Sequence, residues 1–97
     1  MSEEIKSQWV KEITAEQFEA EVMERSQQCP VIVDFWAPWC GPCRQLGPLL
    51  EKIVDELQGQ VVLVKINTEE QPDLAATFGV QSIPMVAAIS YGQFVDR

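Results

Sequence analysis

Residues 31–43 read VIVDFWAPWCGPC. An apolar, β-branched run carries a single acid, Asp34, and is followed by two cysteines, Cys40 and Cys43, with two residues between them. The run is short, begins after Pro30 and is apolar on both of its alternating faces. That pattern predicts a strand buried on both sides, as central parallel strands are. The segment after the cysteines, CRQLGPLLEKIVDELQG, places Leu46, Leu49, Leu50, Ile53, Val54 and Leu57 at helical spacing, with Gly59 just past its end. Pro48 falls inside that pattern, where a kink is expected. The cysteines therefore sit at the joint between a buried strand and the start of a helix.

That placement has chemical consequences. Residues i and i+3 in a helical turn are close enough for a disulfide, which needs Cα atoms within ~7 Å. A helix N-terminus offers unpaired N–H groups and the positive end of the macrodipole, which favour a thiolate at Cys40. Gly41 lets a partner's backbone approach, and Pro42 stiffens the turn at a position whose N–H would lack a partner anyway. Cys40 is expected to be the exposed nucleophile and Cys43 the shielded thiol that resolves a mixed disulfide. Two other readings remain open. A CxxC is half of a zinc site, but zinc usually takes four ligands and the chain has no His and only one further Cys. The pair also fits inert buried packing. Cys29 lies at the far end of the strand, roughly 20 Å from Phe35 at ~3.3 Å per residue. It is read as a packing residue that does not bridge to Cys40.

Asp34 sits where neither face of its strand is solvated. Desolvation disfavours a charged carboxyl, so its pKa should rise, and a group poised nearer neutrality can take and return a proton. Asp34 is the candidate proton carrier for Cys43, directly or through one water; a structural, hydrogen-bonded carboxylate is the alternative. Lys65, in VVLVKIN, is the other charge in a buried strand and is expected to pair with Asp34 from the neighbouring strand; a strand-end lysine reaching out to water is the alternative.

The rest of the chain fits an α/β unit. ITAEQFEAEVMER begins a helix with a capping box from Thr14 to Gln17, and Phe18 and Val22 share a face. EEQPDLAATFG predicts a short helix opened by Pro72 and closed by Gly79. MVAAI is a strand, Tyr91–Gly92 a tight turn and QFVD a further strand antiparallel to it. A short strand at Trp9–Lys11 is also expected. Strand–helix alternation predicts a βαβ core with an antiparallel edge. Residues 1–97 are read as one domain. The net charge of −8, with seven scattered Lys and Arg, argues against nucleic-acid binding. No apolar run approaches the ~20 residues of a membrane span. The polar, acidic start lacks the apolar region of a secretory leader, and an odd cysteine count does not suit a disulfide-stapled secreted scaffold; a cytoplasmic location is expected.

DFWAPWCGPC, the helix with Pro48, Lys65 and SIPMV together closely resemble the thioredoxin family, from about Trp9 to Arg97. The resemblance implies a four- or five-stranded mixed sheet flanked by helices, a cis Ile83–Pro84 bond facing the cysteines, and a docking surface of Trp39, Gly41, Pro42, Ile83 and Pro84. It implies a dithiol–disulfide oxidoreductase acting on protein disulfides, with Cys40, Cys43, Asp34 and Lys65 as the catalytic set. No cofactor or metal is implied beyond the Cys40–Cys43 disulfide, and an external reductase such as thioredoxin reductase restores the dithiol. Some positions depart from the common pattern: Met85 where Thr is frequent, Ser82 where Gly is, the small-residue strand MVAAIS, and the run from Arg44 to Pro48. These resemble the thioredoxin module of bacterial co-chaperones that carry tetratricopeptide repeats, so a client-binding module is the alternative function. The chain stops within its last expected strand, before the family's C-terminal helix. It is expected to be a piece of a longer protein and to associate through uncovered sheet.

Overall fold

The computed structural model describes residues 7–96, with side chains through Val95. Five strands form one sheet: β1 (Val10–Glu12), β2 (Val31–Trp36), β3 (Val62–Asn67), β4 (Met85–Ser90) and β5 (Gln93–Asp96), in the order β1-β3-β2-β4-β5. Two helices are regular, α1 (Gly41–Glu56) and α2 (Pro72–Thr77). β2, α1 and β3 make the expected βαβ unit, with β3 parallel to β2 and β1 parallel to β3. The terminal hairpin supplies the antiparallel part, with β4 running against β2 and β5 against β4. The edge strand expected at Trp9–Lys11 is present one residue later, as β1.

The first helical segment departs from expectation. It is helical from Ala15 to Gln27 but not a regular α-helix: a 3₁₀ turn (Ala15–Gln17), a π-helical stretch (Glu19–Glu24) and a second 3₁₀ turn (Arg25–Gln27). Helical propensity and the capping box set its start, where Gln17 Oε1 accepts from the Thr14 N–H at 3.0 Å. They do not set the hydrogen-bond register inside it. Val22 and Ser26 are the segment's buried residues.

Alternation along β2 and β3 sorts the core. Val31, Val33 and Phe35 pack with Val62, Val64, Ile66, Ile13, Val22, Leu74 and Ile89 on one face. Ile32 and Leu63 turn to the other face, against Val54 and Leu50 of α1. By the two-residue period of a strand, Asp34 and Lys65 belong to that second face, beneath α1. Helix ends carry the expected glycines: Gly59 at φ +94° after α1 and Gly79 at φ +66° after α2. Tyr91 (φ 52°) and Gly92 (φ 75°) form the two-residue hairpin turn between β4 and β5, where two positive φ values match the twist of the strands. Ser26 anchors this turn: its carbonyl accepts from the Tyr91 N–H at 2.9 Å and its Oγ accepts from the Gly92 N–H at 2.9 Å. Leu49, Ile53, Phe94 and Val95 are exposed.

Candidate functional site

The site is assembled at the N-terminus of α1. Cys40 is the N-cap residue, in extended conformation, and its Sγ accepts from the Cys43 N–H at 3.2 Å. Pro42 occupies the first turn of the helix, where a missing N–H leaves no partner unsatisfied. Cys40 and Cys43 are joined by a disulfide, with Cα atoms 5.3 Å apart. Cys29 is half-buried and free.

One expectation needs correction. Cys40 is not the exposed member of the pair: it is 4% exposed and Cys43 5%. The bond ties both sulfurs into one apolar cluster with Ala37, against which Trp36 and Ile83 pack. What distinguishes the two cysteines is helix position. Cys40 Sγ caps the helix, accepting from the Cys43 N–H, whereas Cys43 is one turn into the helix on its inward face.

Beneath α1 lies the acid. Asp34 is 1% exposed, and its Oδ1 has no hydrogen-bond partner among the described residues. Desolvation raises its pKa from 3.8 to about 6; Lys65 pulls it down and Glu51 pushes it further up. Lys65 is the register partner of Asp34 across β2 and β3, but the expected Asp34–Lys65 ion pair does not form. The Lys65 ammonium instead binds Glu51 Oε2 of α1 at 2.7 Å and lies 5.3 Å from the centre of a Trp36 ring. The physical reason is reach: a lysine chain on this face extends toward α1, where a carboxylate at the helix edge retains some water, while Asp34 is enclosed. Gly47, one helical turn beyond Cys43, lies beside the lysine tip: a Cβ there would stand 3.4 Å from Lys65 Nζ, an ordinary contact.

Glu12 was not anticipated from the sequence. Its Oε2 accepts from Trp36 Nε1 at 3.2 Å. Glu12 is exposed as a residue, yet the protein crowds its carboxylate enough to raise its pKa from 4.5 to about 7, against the lowering effects of Trp36 and Lys65. An acid at the inner end of an edge strand carries no distinctive sequence signal. Glu51 did carry one: Cys43, Gly47 and Glu51 are spaced by four and share one helix face.

The rim is built from the other predicted residues. Trp39 is 63% exposed. Gly41 has open space where a Cβ would stand, so its outer side is accessible. The Ile83–Pro84 bond is cis, Ile83 packs on the cysteine cluster, and Pro84 lines an open depression of about 330 Å³ with Gly79, Gln81, Ser82, Met85 and Val86.

Residues 9–97 match the family model described as Thioredoxin. The chain belongs to the thioredoxin family. It is 42% identical to a protein named Thioredoxin 1 from Nostoc over 88% of this chain and 78% of that one. It is 46% identical to Thioredoxin 1 of Synechococcus elongatus over 87% and 77%, and 42% identical to the Thioredoxin of Pyropia yezoensis over 90% and 79%. As a thioredoxin-family member it is a thiol–disulfide oxidoreductase that acts on protein disulfides, is returned to the dithiol by thioredoxin reductase, and uses a redox-active disulfide with no cofactor. Among the described residues no group of His, Cys, Asp and Glu is arranged to hold a metal ion, and no helix is long and apolar enough to cross a membrane.

Proposed function

We propose the following division of labour within this oxidoreductase. In the dithiol form, Cys40 Sγ is the thiolate that attacks one sulfur of a substrate disulfide. A Cys40–substrate bond forms, the substrate S–S bond breaks, and one substrate thiolate leaves. Cys43 then gives its proton to the Asp34 carboxylate and its sulfur attacks Cys40 Sγ. The mixed disulfide breaks, the second substrate thiolate takes up a proton, and the Cys40–Cys43 disulfide remains. Two electrons have passed to the substrate, and the reductase returns two.

The observation that carries this reading is the N-cap placement of Cys40. Its sulfur already accepts a helix N–H in the disulfide, and the same donor would stabilise an anion there more strongly. Asp34 suits its role because it is buried, its Oδ1 has no partner among the described residues, and desolvation raises its pKa to about 6. Trp39, Gly41, Pro42, Ile83 and Pro84 form the surface on which an extended substrate segment docks. Lys65 adjusts the acid beneath it. Residues 1–97 act as one domain, working in the cytoplasm, where a reductase supplies electrons. Exposed Phe94 and Val95 of β5 support association through the uncovered sheet at that edge.

Insulin-disulfide reduction with thioredoxin reductase tests the assignment. Cys40→Ser abolishes turnover. Cys43→Ser abolishes turnover but accumulates a substrate-linked species at Cys40, visible by mass and released by dithiothreitol. Sustained turnover in Cys40→Ser, or trapping at Cys43 in place of Cys40, would reject this division of roles between the two cysteines.

A further inference from the structure

Lys65 faces three carboxylates, Asp34, Glu12 and Glu51, and binds only Glu51. Asp34 is its register partner on the neighbouring strand. Its ammonium nevertheless sits 2.7 Å from Glu51 Oε2, and Asp34 Oδ1 is left without a partner. An enclosed carboxyl left unpartnered beside a lysine is an unfavourable arrangement, so something must hold the lysine away. We propose that Glu51 is a positioning residue for the thiol chemistry: its carboxylate draws the Lys65 ammonium away from Asp34 and keeps that acid available to carry a proton.

The helix is built for this. Cys43, Gly47 and Glu51 follow one another at four-residue intervals on the inward face of α1. The glycine in the middle is where the lysine tip passes, 3.4 Å from the position of a Cβ. Lys65 and Glu51 side chains are 9% and 24% exposed, so the pair is screened less than a surface ion pair would be. The Trp36 ring adds a second attraction for the ammonium, 5.3 Å from its centre.

The charged and titratable groups around Asp34 are few. β3 supplies Lys65, α1 supplies Glu51 and, in the dithiol form, Cys43. β1 supplies Glu12, which acts on Lys65 from the far side. β4 places Val86 opposite and adds no charge. Removing the Glu51 charge therefore acts on Asp34 in two ways: a like charge is lost, and Lys65 is released toward it. Both favour the ionised acid.

The inference rests on the reading of Asp34 as proton carrier, and the experiment separates the two. The Asp34 carboxyl is titrated by ¹³C NMR in the oxidised protein, in wild type, Glu51→Gln, Lys65→Met and the double variant. Glu51→Gln is expected to move the Asp34 midpoint down by roughly one pH unit, and Lys65→Met to move it up. In the Lys65→Met background most of the Glu51→Gln effect should vanish, because no ammonium is left to release. An unchanged or higher midpoint in Glu51→Gln overturns the proposal. So does an equal effect in both backgrounds, which would mean that Glu51 acts only through its own charge. The pH profile of insulin reduction is then measured in the single variants. If the NMR midpoint falls while that profile stays fixed, Glu51 positions Lys65 as proposed and the proton-carrier role of Asp34 is what fails.

Discussion

Replacing Asp34 with Ala should stabilise the oxidised protein at neutral pH and leave that gain absent in acid. Asp34 ionises at an ordinary 3.8 in the unfolded chain and at about 6 in the fold. The folded state thus holds a proton that the unfolded state has already released. Stability contributed by this group is full below 3.8, falls as pH rises from 3.8 to about 6, and is lost above that. Each pH unit of the gap corresponds to about 1.36 kcal/mol, so the ionised acid costs about 3 kcal/mol at pH 7.5. The small cavity left by Asp34→Ala adds a penalty of about 1 kcal/mol that does not depend on pH. Urea unfolding of wild type and Asp34→Ala is run at pH 3.5 and 7.5. The stability difference between the two proteins should swing by about 3 kcal/mol in favour of the variant between those pH values. Glu12 titrates in both proteins and drops out of that comparison. A swing below about 1 kcal/mol, or one favouring wild type at pH 7.5, would refute the argument that Asp34 is ionised in an enclosed site without a partner.

Other consequences are local. Gly47→Ala puts a methyl group 3.4 Å from Lys65 Nζ, an ordinary contact with the end of a flexible chain, inside a helix where Gly is unfavourable. The variant should gain about 0.5–1 kcal/mol in urea unfolding; a loss would show that the lysine tip cannot yield. Ser26, 1% exposed, donates to the Met23 carbonyl at 2.7 Å and accepts from Gly92 N–H at 2.9 Å. Ser26→Ala leaves the half-buried Met23 carbonyl and Gly92 N–H without this partner and should cost about 1 kcal/mol, with faster amide exchange at Gly92.

Much of this arrangement can be read from the chain alone. VIVDFW and VVLVKIN are too apolar and β-branched to be anything but interior strands, and a cysteine pair directly after such a strand falls at a helix start by connectivity. Gly59, Gly79 and Gly92 each mark a reversal where the backbone adopts positive φ. What the chain hides depends on which side chain wins a contest in three dimensions. Lys65 has three carboxylates near it, Asp34, Glu12 and Glu51, and only packing shows that Glu51 receives the ammonium. The equal burial of the two cysteines has the same origin, because the disulfide draws both sulfurs under Trp36 and Ile83. The irregular first helical segment is a further case: propensity favours helix there but does not fix which carbonyl each N–H meets. Glu12 escapes a reading of the chain for a simpler reason, since it becomes significant only when β1 docks beside β3 and brings it to Trp36 Nε1.

The central claim is that the start of α1 stabilises negative charge on Cys40 sulfur. The most direct measurement is the rate of iodoacetamide alkylation at Cys40 against pH, in fully reduced protein carrying Cys29→Ala, with the modified site located by peptide mass. The rate should climb to its plateau with a midpoint clearly below the ~8.5 of free cysteine. A profile that coincides with free cysteine would contradict the claim.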